Sequence, residues 1–368
     1  SFLRKLTILL AILGLALLTG CTAWYGAGSV IRAIVSIGFV GFMATVVAQL
    51  AVDAILGLAW HAACRDIPFV QLLVSRMIRD AAAACLPFSQ LGGMVVGIRA
   101  TCSSDLFARG HGKHISGGEA ACANLVDITT EVMGQILFIL TAVLCLVAHQ
   151  QSSPFARPVI IGLVLLSLGI GGFIWTQRHG GDLLKRVGSK LGSNMAAQWQ
   201  DAMLSSADSI QDRFNAIWSR PGRIVQGALL HYVGWLGSAA TIWVAYYFLG
   251  AHLSFGGAVA IEGVACGIMS VSFLVPAGLG VQEAAYITLG SAFGIPPSVS
   301  LGLSLLRRGR ELVIGIPMLL TWQGMEMRAL RNKSAGSMPD DAAEPLPASG
   351  PLRAVSYTHL TLPTILLV

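Results

Sequence analysis

Charged residues interrupt segments that are otherwise apolar, and these side chains are the ones whose types could do chemistry. Asp127 and Glu131 lie four residues apart, so a helix would place both on one face. Glu311 follows three arginines in a second apolar segment: Arg307, Arg308 and Arg310. The spacings of four and three residues predict that Glu311 neutralises Arg307 or Arg308 within that helix.

Such charges imply specific surroundings if the segments lie in a membrane. An ionised side chain at the bilayer centre costs at least about 2.5–3.5 kcal/mol unless it is paired or hydrated. We therefore expect these groups to face one another or a water-filled cavity. The arginines left over could pair with Asp127, Glu131 or Glu283, or bind the phosphate of a lipid head group through their bidentate fork. The alternative is an ion-pair network that only holds the helices in register, and the two interpretations are compatible.

Further charged residues lie in apolar segments of the chain. Arg76, Arg79 and Asp80 form a similar charged cluster in an earlier apolar segment. Asp127, Glu131 and Glu283 are carboxylates that could supply counter-charge or carry protons.

The segment from Ser270 to Gly290 reads SVSFLVPAGLGVQEAAYITLG and is interrupted in its middle. Pro276 lacks a backbone donor, and Gly278 and Gly280 permit unusual torsions. A short helix that starts near Gly280 would hold Glu283 in its first turn, where a carboxylate is favourable. Glu283 is then either a helix N-terminal acid or a charge that faces a cavity, as a proton carrier or a head-group contact.

A second interrupted segment lies in the first half of the chain. It reads LPFSQLGGM from Leu86 to Met94 and, like VPAGLGVQE, combines a proline, paired glycines and a polar residue, here Gln90. Interrupted apolar segments at matching positions of two halves are typical of transporters with inverted repeats and a central binding site. The alternative is that both are ordinary loops between short helices.

Composition defines the class of protein that must hold these residues. The chain has 368 residues, of which 55% are hydrophobic and 11% charged, and its mean hydropathy is +0.71. Soluble domains carry about 25% charged residues, and apolar runs of about 20 residues match the thickness of a bilayer. The sequence predicts an all-α polytopic integral membrane protein.

Charge and cysteine patterns exclude other classes. The net charge of +6 comes from basic residues between apolar runs, which favours membrane orientation and anionic lipid over nucleic acid. The seven cysteines form no CxxC pair, so we expect neither a disulfide framework nor a metal site, and no cofactor is predicted.

Segment lengths and basic clusters predict about eight membrane segments, two of them re-entrant hairpins broken by proline and glycine. Both termini are expected in the cytoplasm. The predicted segments are 6–25, 34–60, the hairpin 68–99 divided at Leu86-Pro87, 120–148, 158–177, 224–249, the broken pair 258–275 and 279–293, and 299–323.

One membrane domain is predicted over 1–331. Its halves cover 1–148 and 158–323, and 178–223 forms a basic cytoplasmic loop with amphipathic helices. We expect a disordered tail over 332–354, while 355–368 resembles a translated sequencing adapter.

Four stretches carry a resemblance to a known family. They are RMIRDAAAACLPFSQLGGMVVGIRA, NLVDITTEVMGQ, FLVPAGLGVQEAAY and LSLLRRGRELVIGIPMLLTWQ. With these the chain resembles hopanoid-biosynthesis-associated membrane proteins of the HpnL type, within the lysylphosphatidylglycerol synthase transmembrane, flippase-like family. Met94 and Ala277 depart from the family pattern, where an acid and a glycine are common.

The resemblance implies a multi-pass protein of the bacterial inner membrane that handles lipids. It implies family-pattern positions at Pro276, Gly278, Gly280, Glu283, Arg307, Arg308, Arg310 and Glu311, together with Asp127 and Glu131.

Three functions are weighed. The first is lipid transport, with an anionic or hopanoid lipid bound between the two hairpins and held by Arg308 and Arg310. The second is a scaffold for lipid-biosynthesis enzymes that docks them on 178–223. The third is an intramembrane enzyme with Asp127 and Glu131 as an acid/base pair. No GxSxG, HExxH or P-loop motif is present, so no enzymatic activity is expected.

Overall fold

The fold is all-helical, as predicted. A computed structural model describes residues 35–85, 89–102, 112–149, 160–162, 164, 167–179, 210–271 and 280–336. The chain divides into two units, Ser1–Glu326 and Met327–Val368, and every residue of the candidate site lies in the first unit.

Four helices are described in the first half of the chain. They are α1 (Gly38–Ala63), α2 (Phe69–Cys85), α3 (Ser89–Cys102) and α4 (Gly117–His149). Each lies within a few residues of its predicted position, since apolar runs end where polar and turn-forming residues begin. α2 and α3 pack against each other as the two arms of the first predicted hairpin.

Six helices are described in the second half. They are α5 (Ile160–His179), α6 (210–218), α7 (Pro221–Phe248), α8 (Phe255–Val271), α9 (Val281–Ala292) and α10 (Pro297–Gly336). α8 and α9 pack together as the arms of the second hairpin. α10 continues past its predicted end at 323 and into the predicted tail, because residues 324–336 include the good helix formers Met, Glu, Arg, Ala, Leu and Lys.

Several predictions concern residues outside the described ranges. They are the first predicted helix at 6–25, both hairpin breaks including Pro276 and Gly278, most of the basic loop at 180–209, and the chain from 337 onward.

Four of the described helices have the length and composition of membrane-spanning helices. α1, α4, α5 and α7 are each long and apolar enough to cross a membrane. Large apolar side chains point outward from them, such as Leu144 of α4 with 64% of its surface exposed. An outer surface of this kind suits contact with lipid, and it confirms that the chain is a polytopic membrane protein.

Small residues allow the central helices to approach closely. α7 packs against α1 and α4, and α4 also packs against α8. A Cβ at Gly134 of α4 would lie 2.7 Å from the backbone nitrogen of Tyr232 in α7, so only glycine fits that crossing. A Cβ at Gly227 of α7 would lie 3.1 Å from the backbone oxygen of Ala59 in α1, which is also a tight contact. Close backbone contact at small residues is the usual packing of membrane helices.

Candidate functional site

A cavity of about 630 Å³ lies among α1, α2, α4, α7, α8, α9 and α10, with Gly93 of α3 in its wall. Its size is that of a small-molecule site. Ten of the described residues that line it are charged: Asp53, Arg76, Arg79, Asp80, Glu131, Glu262, Arg307, Arg308, Arg310 and Glu311. Most of the charged groups that the sequence places in apolar segments therefore face a common space, whereas Asp127 and Glu283 do not line it.

The first charge cluster joins α2, α4 and α7. It consists of Arg76, Arg79, Asp80, Asp127, Glu131 and His231. Arg76 donates to Asp127 at 2.6 Å and to Glu131 at 2.8 Å, and Arg79 lies 2.8 Å from Asp127. The four-residue spacing of Asp127 and Glu131 thus lets one guanidinium bridge both carboxylates.

Asp127 is the buried centre of this cluster. It is fully buried (0% exposed) and lies behind the cavity wall. Its other carboxylate oxygen lies 3.1 Å from Nε2 of His231, which is also fully buried. Arg79 stacks over the ring of Trp60 at 5.4 Å, a cation–π contact that ties α2 to α1. Asp127 therefore holds α2 and α7 to α4.

The second charge cluster joins α7, α8, α9 and α10. It consists of Ser238, Glu262, Tyr286, Arg307 and Glu311. Arg307 donates to Glu262 at 2.7 Å and also to the hydroxyl of Tyr286, which donates to Glu262. Arg307 Nε lies 3.4 Å from Glu311, so the pair predicted from the four-residue spacing is confirmed. The shorter ion pair of Arg307 is the one with Glu262, which belongs to another helix, α8.

Glu283 lies at the start of α9 and links it to α10. Gly280 has a positive φ of 81°, which favours glycine, and its N–H donates to Glu283 at 2.7 Å. Glu283 also accepts from Nε of Arg308 at 2.9 Å and from Ser304 at 3.2 Å. Glu283 is fully buried and does not line the cavity. The predicted role of Glu283 as a helix N-terminal acid is therefore confirmed. Glu283 also contacts Arg308 of α10, as expected.

The two clusters occupy matching positions with opposite charge. Arg76 lies seven residues after the start of α2 at Phe69, and Glu262 lies seven after the start of α8 at Phe255. Asp127 lies ten residues after the start of α4, and Arg307 lies ten after the start of α10. The pairs Arg76–Asp127 and Glu262–Arg307 thus join helices that the predicted inverted repeat would make equivalent, with the charges exchanged.

Two charged residues of the lining stand apart from these clusters. Arg310 is 5% exposed, and no hydrogen bond or ion pair reaches it within the described part of the chain. Asp53 of α1 accepts one hydrogen bond, from Gln49 at 2.8 Å, and has no cation within ion-pair distance among the described residues. Both groups line the same cavity.

The structure locates most of the predicted site residues. Arg76, Arg79, Glu131, Arg307, Arg308, Arg310 and Glu311 line the cavity, while Asp127, Gly280 and Glu283 form the layer behind it. The side chain of Gln90 and residues Pro276 and Gly278 lie outside what the structure describes. Arg308 forms an ion pair with the fully buried carboxylate of Glu283 on α9.

Sequence reasoning missed four participants: Asp53, Ser238, Tyr286 and His231. Asp53 is an acid in an apolar run, which is the same signal that identified the other carboxylates. His231 is a fully buried core residue beside Asp127, and its sequence position near other apolar residues does not indicate that contact. Tyr286 and Ser238 give no sequence signal, since both residue types are common in apolar helices.

The chain belongs to the family described as lysylphosphatidylglycerol synthase TM region, whose model matches residues 10–317. No curated protein and no solved structure matches the chain significantly. The family description ties the chain to membrane lipid, and its match spans both charge clusters and the cavity between them.

Proposed function

We propose that this protein is a lipid transporter of flippase type that moves a polar lipid head group across the bacterial inner membrane. Lipid tails cross a bilayer at little cost, whereas a charged head group must leave water. A transporter therefore needs a polar space among apolar helices. The cavity of about 630 Å³ and its ten charged lining residues are the observation that carries this proposal.

Ion pairing lowers the free-energy cost of placing these charged residues around a cavity within the membrane. Arg76 and Arg307 each bridge acidic residues at hydrogen-bond distance, so most of the lining is electrostatically neutral. A neutral but strongly polar lining can replace the water around a head group without binding one charge irreversibly. The proposal assigns no bond-making step to the chain, and it includes the predicted orientation, with both termini in the cytoplasm.

The resemblance to HpnL-type proteins supports a narrower proposal, that the transported lipid comes from hopanoid metabolism. Its test is to purify the protein from a hopanoid-producing host and from the same host with hopanoid synthesis removed. Mass spectrometry of the bound lipids should find hopanoids enriched above the bulk membrane in the first sample. A bound-lipid profile equal to the bulk in both would contradict the hopanoid link while leaving lipid transport open.

Lipid transport itself is tested in reconstituted vesicles. A trace phospholipid with a fluorescent acyl chain is placed in both leaflets, and an external reductant quenches the outer one. Vesicles with the protein should expose the inner-leaflet label faster than protein-free vesicles. Equal rates, together with a bound-lipid profile that matches the bulk membrane, would refute the proposal.

A further inference from the structure

The cavity contains one charged residue of each sign that has no ion-pair partner among the described residues. Eight of its ten charged lining residues have an opposite charge within 4 Å among the described residues. The two that do not are Asp53 on α1 and Arg310 on α10. They also form no ion pair with each other, although both line the same space.

The burial of Arg310 indicates what its guanidinium binds. Arg310 is more than nine-tenths buried, and the Nε of its guanidinium is buried with no partner in the described part of the chain. A buried cation is normally paired, so an unpaired one that lines a cavity indicates a bound anion. A guanidinium presents a planar set of donors that matches the oxygens of a phosphate.

Asp53 and Gln49 offer the complementary contact. Gln49 donates through Nε2 to one carboxylate oxygen of Asp53 at 2.8 Å, and both residues line the cavity. The carboxylate keeps further acceptor sites, and the amide oxygen of Gln49 is a further acceptor. A primary ammonium, with three N–H donors, satisfies such acceptors, whereas a quaternary ammonium has no N–H to donate.

We propose that Arg310 and Asp53 form a two-point site for a zwitterionic phosphate ester, with the phosphate at Arg310 and a primary ammonium at Asp53 and Gln49. The inference rests on the proposed function, because it names the class of head group that the transporter selects. One bound zwitterion would give both Arg310 and Asp53 an ion-pair partner, which neither an anion nor a cation alone would do.

The test uses the wild-type protein in vesicles of equal parts phosphatidylethanolamine, phosphatidylcholine and phosphatidylglycerol. After mild detergent extraction, the lipids that remain bound are measured by mass spectrometry. Phosphatidylethanolamine should be enriched over each of the other two by about tenfold, the effect of one charge-assisted hydrogen-bonding contact. Equal enrichment of phosphatidylcholine would overturn the inference, because choline shares the charge but lacks the N–H donors.

Two variants assign the contacts. Asp53→Asn should abolish the preference for phosphatidylethanolamine over phosphatidylcholine, and Arg310→Gln should reduce all three bound phospholipids. The matched control is Glu119→Gln, which removes a carboxylate that is paired with Arg213 and does not line the cavity. This control should keep the preference. A retained preference in Asp53→Asn would overturn the assignment of Asp53.

Soluble esters show whether the ligand is a membrane lipid or a water-soluble phosphate ester. Glycerophosphoethanolamine should raise the thermal stability of the wild-type protein more than glycerophosphocholine does. A soluble ester that stabilises the protein while no vesicle lipid is enriched would contradict the lipid as ligand. Transport of all three phospholipids at equal rates and without selective binding would overturn this inference and leave the proposed function intact. Neither binding nor transport of any lipid would refute both.

Discussion

Asp127→Asn is the substitution that most directly measures how the first charge cluster holds the helices together. The asparagine keeps the size of the side chain but removes the charge that Arg76, Arg79 and His231 contact at 2.6, 2.8 and 3.1 Å. Removing one partner of a buried ion pair costs about 3–5 kcal/mol. Glu131 and Asp80 remain as partners of both arginines, so the lower end of that range applies here.

The assay is thermal unfolding of the purified protein in detergent. A loss of about 3 kcal/mol corresponds to a fall in the melting temperature of roughly 4 °C for a chain of 368 residues. Asp80→Asn is the control, because Asp80 contacts the same two arginines but is 49% exposed. An exposed ion pair contributes about 0–1 kcal/mol, so the melting temperature of Asp80→Asn should change by less than about 1.5 °C. Equal shifts for the two variants would refute the reasoning that burial makes Asp127 central.

Three further substitutions test the packing and the second cluster by thermal unfolding. Gly134→Ala should cost about 1–3 kcal/mol because the new Cβ would meet the backbone of α7, whereas Gly171→Ala, which meets open space, should be neutral or slightly stabilising; equal values would contradict the close crossing. Gly280→Ala should cost about 1–2 kcal/mol because its φ is 81°, and an unchanged melting temperature would place the start of α9 elsewhere. Glu262→Gln should lower stability by about 3 kcal/mol, since Arg307 loses its charged partner at 2.7 Å; a change under about 1 kcal/mol would show that Glu311 alone suffices.

The helices could be predicted from the sequence because each depends on local patterns. Apolar runs gave the positions of the membrane-length helices, and the start of α9 followed from Gly280 and Glu283. The spacing of Arg307 and Glu311 predicted a contact within one helix, which the structure confirms. These features depend on residues that are near one another in the chain.

The pairing between helices could not be predicted in the same way. Arg76 meets Asp127 across 51 residues, and Arg307 meets Glu262 across 45. Several arginines and carboxylates were available, and only the packing of the helices selects which ones meet. Tyr286 belongs to the site for the same reason, since nothing near it in the sequence distinguishes it from a core tyrosine.

The charge exchange between the two halves adds to the prediction of an inverted repeat. Sequence alone suggested the repeat from two interrupted segments, and the hairpin breaks themselves lie outside the described residues. The matching positions of Arg76 with Glu262, and of Asp127 with Arg307, offer a second and independent sign of the repeat. The repeat stays a prediction, now with specific residue pairs attached to it.

The central claim is that head groups pass through the cavity, and blocking the cavity tests it most directly. Ala84 lines the cavity, whereas Leu144 is 64% exposed on the outer face of α4. We compare the transbilayer movement of a fluorescent phospholipid in vesicles that contain the wild-type protein, Ala84→Trp or Leu144→Trp. The account predicts wild-type rates for Leu144→Trp and the protein-free rate for Ala84→Trp, with both variants folded. A wild-type rate for folded Ala84→Trp would contradict it.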